Sequence, residues 1–395
     1  MLPLSGLRIL TIEQYGAAPY CSMFLANMGA EVIKIENPST GGDFARSTGP
    51  FFLGEADSLY FQAFNLNKNS LTLDIKSKEG KEIIGKLVEK SDAIVNNLRG
   101  NQVNKLGLDY KNLCIHNKKI VCGHISAYGR DNSRADWPGY DFLMQAEAGF
   151  LSLTGEPDGP PARFGLSMVD FMTGMMLGFG VLSAIIKSNK TGEGCDVDVN
   201  LMEAALHQLT YPGIWYLNEG LVTGRINRGA HPSVTPSQLI KTKDGWVFIM
   251  CQNPKFWDIL VNKLNNDQLN TDERFKDIPS RLKYREELTV ILDNIFCSGN
   301  TDDWIKHFKG LIPIAPVYNI AEALDNSFLS EINMINELCH SENDTMRVLN
   351  NPIRIDGERL PIKPGPKLGS STNEILKEIG YNENEINLLR KKGKI

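Results

Sequence analysis

Short hydrophobic runs alternate with stretches of helical spacing through the first half of the chain. Leu7 to Ile12 predicts a strand, Tyr20 to Met28 a helix stopped by Gly29, and Glu31 to Glu36 a second strand. Strand, helix and strand within about thirty residues predict a βαβ unit, and with it a parallel sheet. Asn65 to Lys76 reads as a polar turn running into a strand. Ser77 to Glu89 predicts an amphipathic helix with Ile83, Ile84, Leu87 and Val88 on one side. Asp92 to Asn97 and Lys119 to Ser126 predict further strands. The alternation predicts a doubly wound α/β layer.

From Phe171 to Ile186 the chain is mainly apolar, and the helical stretch runs on to Lys187. The run carries Thr173, Ser183 and glycines at 174, 178 and 180, and it is short for a membrane span, so a buried core helix is expected. Small residues spaced by four let a second backbone come close, which predicts a helix pair. Cys195 to Asn200 predicts a strand and Leu201 to Leu217 a helix. Near residue 220 the pattern changes. Gly220 to Pro236 is rich in Gly, Pro, Arg and His, as a linker or active-site loop would be. The expected organisation is a large α/β domain over 1–215, a linker or active-site loop over 216–237, and a small α+β domain over 238–330. That domain opens with a hairpin over 238–250, turning at Lys243-Asp244-Gly245. Helices follow over 255–325, punctuated by Gly299 and a turn at Pro313 and Pro316. Short strands and turns over 348–363 and a helix pair over 371–390 close the chain.

Composition narrows the function classes. The 395 residues are 42% hydrophobic and 23% charged, with 42 basic against 47 acidic residues and a net charge of −5. That fits a soluble globular protein and argues against nucleic acid held by bulk charge, but not against a local basic pocket for phosphates. The seven cysteines are scattered at 21, 114, 122, 195, 251, 297 and 339, with no CxxC spacing. They read as reduced thiols of a cytoplasmic protein, with no disulfide framework and no zinc site. The first residues lack the basic and apolar segments of a signal peptide.

In a parallel sheet, ligands collect beyond the carboxyl ends of the strands. Tyr15-Gly16, Lys76, Asn97-Leu98-Arg99 and Ser126 to Gly129 fall there. Arg46, Lys76, Arg99 and Lys105 are candidate phosphate partners, though for each alone an ordinary solvated charge is the plainer reading. Glu36 ends the second strand as a ribose-binding acid would, but the glycines of a dinucleotide fingerprint are missing from the first turn. No HExxH, P-loop, GxSxG or DFG pattern is present, so metal hydrolysis and a serine triad lack their parts. His124 follows a buried-looking strand and reads as a satisfied core residue. Asp170 stands out. It sits between Val169 and Phe171, after the loop residues Pro160, Pro161 and Gly165. A carboxylate among large apolar neighbours is costly unless it caps a helix or does chemistry, and both readings are open.

As an ordered set, these residues resemble the class III (CaiB/BaiF-type) CoA-transferase family, nearly end to end. The resemblance is carried by Gly29 to Glu36, Asn65 to Lys76, Leu106 to Tyr110, Pro138 to Asp141, Gln145 to Gly149, Leu153 to Pro161, Asp170 with Thr173-Gly174, Thr191 to Gly194, His231 to Ser233, Asp244 to Trp246 and Pro366 to Gly369. It implies a Rossmann-like large domain built from both chain ends, so that 331–395 returns to it, and an interlocked ring-shaped homodimer. It implies a CoA-transferase that moves CoA between an acyl-CoA, such as succinyl-CoA or another short acyl-CoA, and a free carboxylic acid. Asp170 would be the nucleophile, passing through aspartyl anhydride and aspartyl-CoA thioester intermediates. CoA would be a substrate, with no tightly bound cofactor, no metal, no nucleic acid and no membrane. By match to the family pattern, CoA would lie against Gly16, Ala17, Leu73, Lys76, Asn97, Leu98, Arg99 and Lys105, with Arg46 a further phosphate contact, and Tyr140 and Asp141 would flank the nucleophile.

Three departures stand out. Asn37 replaces a frequent Arg, the glycine-rich lid is replaced by Gly229 to Ser233, and a C-terminal His is lost at Leu368 to Thr372. The same superfamily contains 2-methylacyl-CoA racemases, whose His falls where this chain has Tyr140. A tyrosine does not exchange protons at neutral pH as a histidine does, so transfer is favoured over epimerisation by Asp170 with Tyr140 or His124. A CoA-binding protein without catalysis and a nicotinamide oxidoreductase are the remaining rivals. Arg163, Arg225 and Arg228 are candidates for an acceptor carboxylate, with surface charge the plainer reading of each.

Overall fold

The computed structural model describes residues 1–266 and 268–395. The chain divides into two compact units. The first comprises Met1–Ala148, Gly165–Leu209 and Phe328–Ile395; the second comprises Gly149–Phe164 and Thr210–Ser327. Segment 149–164, expected in the large domain, therefore belongs with the second unit. The helical stretch expected over 201–217 is two helices, Leu201–Gln208 and Thr210–Glu219, the second opening on Thr210 at φ 46°.

The first unit is built on a six-stranded sheet of β1 (Arg8–Ile12), β2 (Glu31–Glu36), β3 (Asn69–Thr72), β4 (Ala93–Asn96), β5 (Val121–Ser126) and β6 (Cys195–Asn200). All pairings are parallel, in the order β3-β2-β1-β4-β5-β6. This is the doubly wound order, and the direction of winding reverses between β1 and β4. One face of the sheet is apolar. Leu10, Ile12, Ile33, Ile35, Leu71, Leu73 and Ile94 pack there with Ile83, Ile84, Leu87 and Val88 of the helix Lys78–Val88, and with Ile375, Leu376, Ile386 and Leu389 of the closing helices. Ser77 caps the helix Lys78–Val88 through the Gly80 amide at 3.0 Å.

The other face carries the helices Ala17–Asn27 and Met168–Thr191. The long helix begins three residues earlier than the apolar pattern suggested. It lies on β5 where Gly123 leaves room: a Cβ there would meet Val181 at 2.8 Å. Met168–Thr191 is long and apolar enough to cross a membrane by composition, but here Val169, Leu177, Val181 and Ile185 are buried in the protein.

The return segment after 328 opens with a hairpin, β10 (Ile335–His340) with β11 (Asn343–Leu349), that the sequence pattern did not predict. It then runs back along β3, where the Gly365 amide donates to Gln62 and the Gly369 amide to Ser70 Oγ at 2.8 Å. In the second unit, β7 (Ser237–Lys241) and β8 (Trp246–Met250) form the expected hairpin. The Pro313 to Pro316 region, expected as a turn, supplies a third strand, β9 (Ile314–Pro316).

Candidate active site

Two glycines bring the site together. A Cβ on Gly174 would lie 2.4 Å from the Ala17 carbonyl, so the helices Met168–Thr191 and Ala17–Asn27 touch backbone to side at that point. Asp170 lies one turn before Gly174, and Gly16 immediately precedes Ala17. The same register therefore places the Asp170 carboxyl against Gly16, where a Cβ would be 2.9 Å from Oδ2. The expected close approach at small residues is present, and it is what sets Asp170 against the first helix.

Asp170 is not the cap of its helix. It is the third residue of Met168–Thr191, and Ser167 occupies the cap position. Its own N–H donates to Asp141 Oδ2 at 3.0 Å. The cap reading is thus corrected: Asp141 serves one of the unpaired first-turn donors from a different helix. Asp141 opens the helix Asp141–Glu147, is 3% exposed, and accepts from Gln145 Nε2 at 2.5 Å.

Burial pushes the Asp170 carboxyl up to about 7, and the neighbouring Asp141 charge adds to the effect. Against this, the amino end of Ala17–Asn27 lies beside the carboxyl, and its first turn holds no acidic side chain. A helix start favours negative charge. The site is thus poorly solvated yet receptive to an oxyanion.

Aromatic rings wall this site, and sequence reasoning did not single them out. Phe171 packs on Tyr20 at 4.7 Å and Phe64 at 5.9 Å between ring centres. Phe64 meets Tyr60 at 5.4 Å, Tyr60 meets Tyr15 at 6.4 Å, and Tyr15 stacks on Phe44 at 6.0 Å. The Tyr60 hydroxyl is held in its protonated form, first by burial and then by the Asp170 charge. The available signal was Ser58 followed by Tyr60, Phe61 and Phe64, a capped aromatic helix, Leu59–Asn65.

The other expected residues divide into four groups. Lys76, Arg99 and Lys105 are exposed, follow β3 and β4, and form no ion pair among the described residues. Gly16 and Ala17 are buried at the helix start. Leu98 donates its amide to Asn96 Oδ1 at 3.4 Å, and Tyr140 is 65% exposed.

The remainder are corrections. Arg46 is 2% exposed and buried in an ion pair. Its Nε and Nη2 donate to Glu36 at 2.7 and 2.8 Å, its remaining donors go to the Ala56 and Pro366 carbonyls, and its plane lies 3.8 Å over Phe61. It is no surface phosphate contact, and Glu36, which also accepts from Ser70, is no ribose ligand. The Leu73 side chain is fully buried in the apolar core. The Asn97 amide is engaged twice by the Gln14 backbone, at 3.0 and 2.7 Å. The Leu73 side chain is therefore no CoA contact, whereas Asn97 is half-buried and its side chain holds the Gln14 backbone.

His124 is 1% exposed, with Nδ1 on Asn96 and Nε2 on Asp196, both at 2.8 Å. It is the satisfied core residue expected, and no base for an epimerase. Arg225 is bound to the carbonyls of Glu156, Gly159 and Pro160, and Arg228 pairs with Asp293 at 2.6 Å over the Trp246 ring. Both hold the second unit together. Arg163 donates to the Phe164 carbonyl.

The parallel doubly wound sheet thus sets a desolvated carboxyl beside a helix start, and in such sheets ligands collect beyond the carboxyl ends of the strands. Residues 4–372 match the sequence model of CoA-transferase family III. The chain belongs to that family and is a CoA-transferase. It is 30% identical to the succinate–glutarate CoA-transferase of Agrobacterium fabrum, covering 95% of this chain and 96% of that one. It is 33% identical to an acyl-CoA transferase of Fusarium pseudograminearum, over 97% of this chain and 86% of the other. Among solved structures, a CaiB/BaiF family protein of Brucella suis superposes with a TM-score of 0.83 at 30% identity, covering 96% of this chain and 99% of that chain.

Proposed function

We propose that the enzyme transfers CoA from a short acyl-CoA, succinyl-CoA among the candidates, to a free carboxylic acid, with Asp170 as covalent nucleophile. The Asp170 carboxylate attacks the thioester carbonyl, the C–S bond breaks, and CoA thiolate leaves a mixed acyl-aspartyl anhydride. The thiolate attacks the aspartyl carbonyl of that anhydride and expels the donor acid, leaving an aspartyl-CoA thioester. The acceptor carboxylate attacks this thioester, releasing thiolate and forming a second anhydride. Attack of the thiolate on its acyl carbonyl gives the new acyl-CoA and regenerates Asp170. Each step is an acyl transfer between carboxylate and thiolate, and no redox partner is needed.

One observation carries this reading: the desolvated Asp170 carboxyl lies against the amino end of Ala17–Asn27. Weak solvation leaves the carboxylate nucleophilic, and the aromatic wall keeps water from the anhydrides. Helix-start amides suit the oxyanion of each tetrahedral intermediate. Lys76, Arg99 and Lys105, exposed after β3 and β4, supply cations for the CoA phosphates. The donor class is supported by the names of the relatives, which include exchange between succinate and glutarate.

We also propose a homodimer of interlocked rings, working in the cytoplasm. Met175, Phe179 and Ile186 of the long helix are 43%, 78% and 58% exposed, an apolar row that a second copy would cover. Sedimentation of a monomer at micromolar concentration would reject the dimer.

The decisive experiment incubates the protein with acetyl-, succinyl-, glutaryl- and benzoyl-CoA and maps adducts by mass spectrometry. A CoA-sized adduct on the peptide holding Asp170 is expected, lost in Asp170→Ala. Transfer that survives in Asp170→Ala at more than about a thousandth of the normal rate would remove the mechanism.

A further inference from the structure

The short segment Glu13 to Gly16, which ends against the Asp170 carboxyl, is held by side chains that do not reach it. The Glu13 carbonyl accepts from Lys34 Nζ at 3.2 Å. The Gln14 amide and carbonyl are both bound by Asn97. The Tyr15 amide donates to Asp43 Oδ1 at 3.1 Å. Tyr15 stands at φ 60°, in the left-handed region that a bulky side chain rarely adopts. Such a conformation persists only where its surroundings over-determine it. Gly16 comes next, in contact with Asp170 Oδ2.

Asp43 is the centre of this arrangement. It is 2% exposed, and its Oδ1 also accepts from the Ala45 amide at 2.9 Å. Its Oδ2 makes no aligned hydrogen bond but faces Lys34 Nζ at 2.8 Å as an ion pair. Its own amide donates to Glu36 Oε1 at 3.1 Å. Lys34 is fully buried. Burial lowers its pKa, but Asp43, Glu13 and Glu36 more than reverse this, so it stays an ammonium. Asp43, held on one oxygen by Lys34, thus accepts the Tyr15 amide on the other.

We propose that Asp43, clamped by Lys34, is the positioning residue of the nucleophile: it fixes the Tyr15–Gly16 corner that walls the Asp170 carboxyl. The inference rests on the reading of Asp170 as nucleophile. Nothing else in the first unit ties the Tyr15 amide among the described contacts, so loss of Asp43 frees the corner to relax from its left-handed conformation. The helix start beside Asp170 then shifts with it.

The test measures single-turnover acylation of Asp170, per active site, at saturating acyl-CoA. The probe is whichever of acetyl-, succinyl-, glutaryl- or benzoyl-CoA labels the wild type best. Asp43→Ala is expected to slow acylation about 100-fold, the scale of a misplaced reacting group, with half-saturation within about threefold. Asp43→Asn keeps an oxygen for the Tyr15 and Ala45 amides and should recover most of that loss, remaining about five- to tenfold slow. Leu71→Ala, a destabilising change on the opposite face, controls for stability and should acylate at the normal rate per site. If Asp43→Ala does not fold, Asp43→Asn decides alone. A normal per-site rate in Asp43→Asn, or in a folded Asp43→Ala, overturns the proposal. Failure of every acyl-CoA to label wild-type Asp170 removes the nucleophile reading and this one with it, whereas labelled wild type with unslowed Asp43 variants removes only this one.

Discussion

At β2 the two faces of the parallel sheet are both buried and differ in nearly everything else. In β2, every residue from Val32 to Glu36 is at most 4% exposed. Ile33 and Ile35 point to the apolar side and join one continuous core. Lys34 and Glu36 point to the other side, where strand alternation puts them with Thr11 and Ser70. There they join Glu13, Asp43, Arg46 and Lys68 in a set of three acids and three bases, all buried. Alternation of this kind ordinarily marks a strand with one face in water. Here the polar face lies beneath the loops that build the site. At β2 the apolar side supports the fold, and the charged side holds the backbone of Glu13 and Tyr15 in place next to Asp170.

If that division is right, removing one buried charge should cost most. Glu36→Ala leaves the Arg46 guanidinium buried without its partner, a loss of about 3–5 kcal/mol for a broken buried pair. Because Glu36 also holds the Asp43 amide, acylation per active site should fall as well. Chemical denaturation together with active-site titration reads both effects. Leu71→Ala on the apolar face should cost about 2–5 kcal/mol with the per-site rate unchanged. Equal loss of per-site rate in the two variants would dissolve the distinction between the faces.

The apolar face was legible in the sequence, and the charged face was not. Ile83, Ile84, Leu87 and Val88 follow helical spacing and the strands are short apolar runs, so local pattern alone located them. Asp170 was also legible, as an isolated carboxylate before an apolar helix. Its partners were hidden by distance along the chain. Arg46 meets Glu36 across a loop, Asp141 reaches Asp170 from another helix, and Asp43 meets Lys34 only once the chain has turned back. A lone Arg or Asp in a polar loop looks like surface until its partner is known, which is why Arg46 read as a phosphate contact. The hairpin of β10 and β11 and the three-residue β9 were missed for another reason. Each is short, polar or proline-bearing, and holds its shape through pairing rather than propensity.

The helix pair gives a finer contrast. On Gly174 an added Cβ would meet the Ala17 carbonyl at 2.4 Å, and backbone yields little. Gly174→Ala should cost about 1–3 kcal/mol as an overpacked contact and should slow acylation by moving the Ala17 helix start. On Gly178 the nearest atom is Cys21 Sγ at 3.5 Å, an ordinary contact. Gly178→Ala should be neutral or stabilising by about 0.5–1 kcal/mol through helix propensity, with the rate unchanged. Thermal unfolding of the two variants side by side checks the register that sets Asp170 against Gly16. Similar behaviour at both positions would place the closest approach of the helices elsewhere.

The smallest expected effect tests the carboxyl itself. The native Asp170 pKa is raised to about 7 from an ordinary 3.8, first by burial and then by Asp141. Between those values the folded protein holds a proton that the unfolded chain has released. The folded state then binds more protons, so stability from this group is present at low pH and is lost as pH rises towards 7. Above that pH the folded protein carries an unfavourable ionised carboxylate. Asp170→Asn cannot ionise and escapes the loss. The Tm of Asp170→Asn should therefore exceed that of wild type by more at pH 8 than at pH 5, with the difference growing by roughly 2 °C or more. With Asp170 as the proposed nucleophile, acylation of the wild type should rise over the same interval, because only an ionised carboxyl would attack. A Tm difference that is flat from pH 5 to pH 8 would mean that Asp170 is already ionised at the lower pH. The carboxyl proposed as nucleophile would then be an ordinary solvated carboxylate, and the contrast between the two sides of β2 would have to be explained without it.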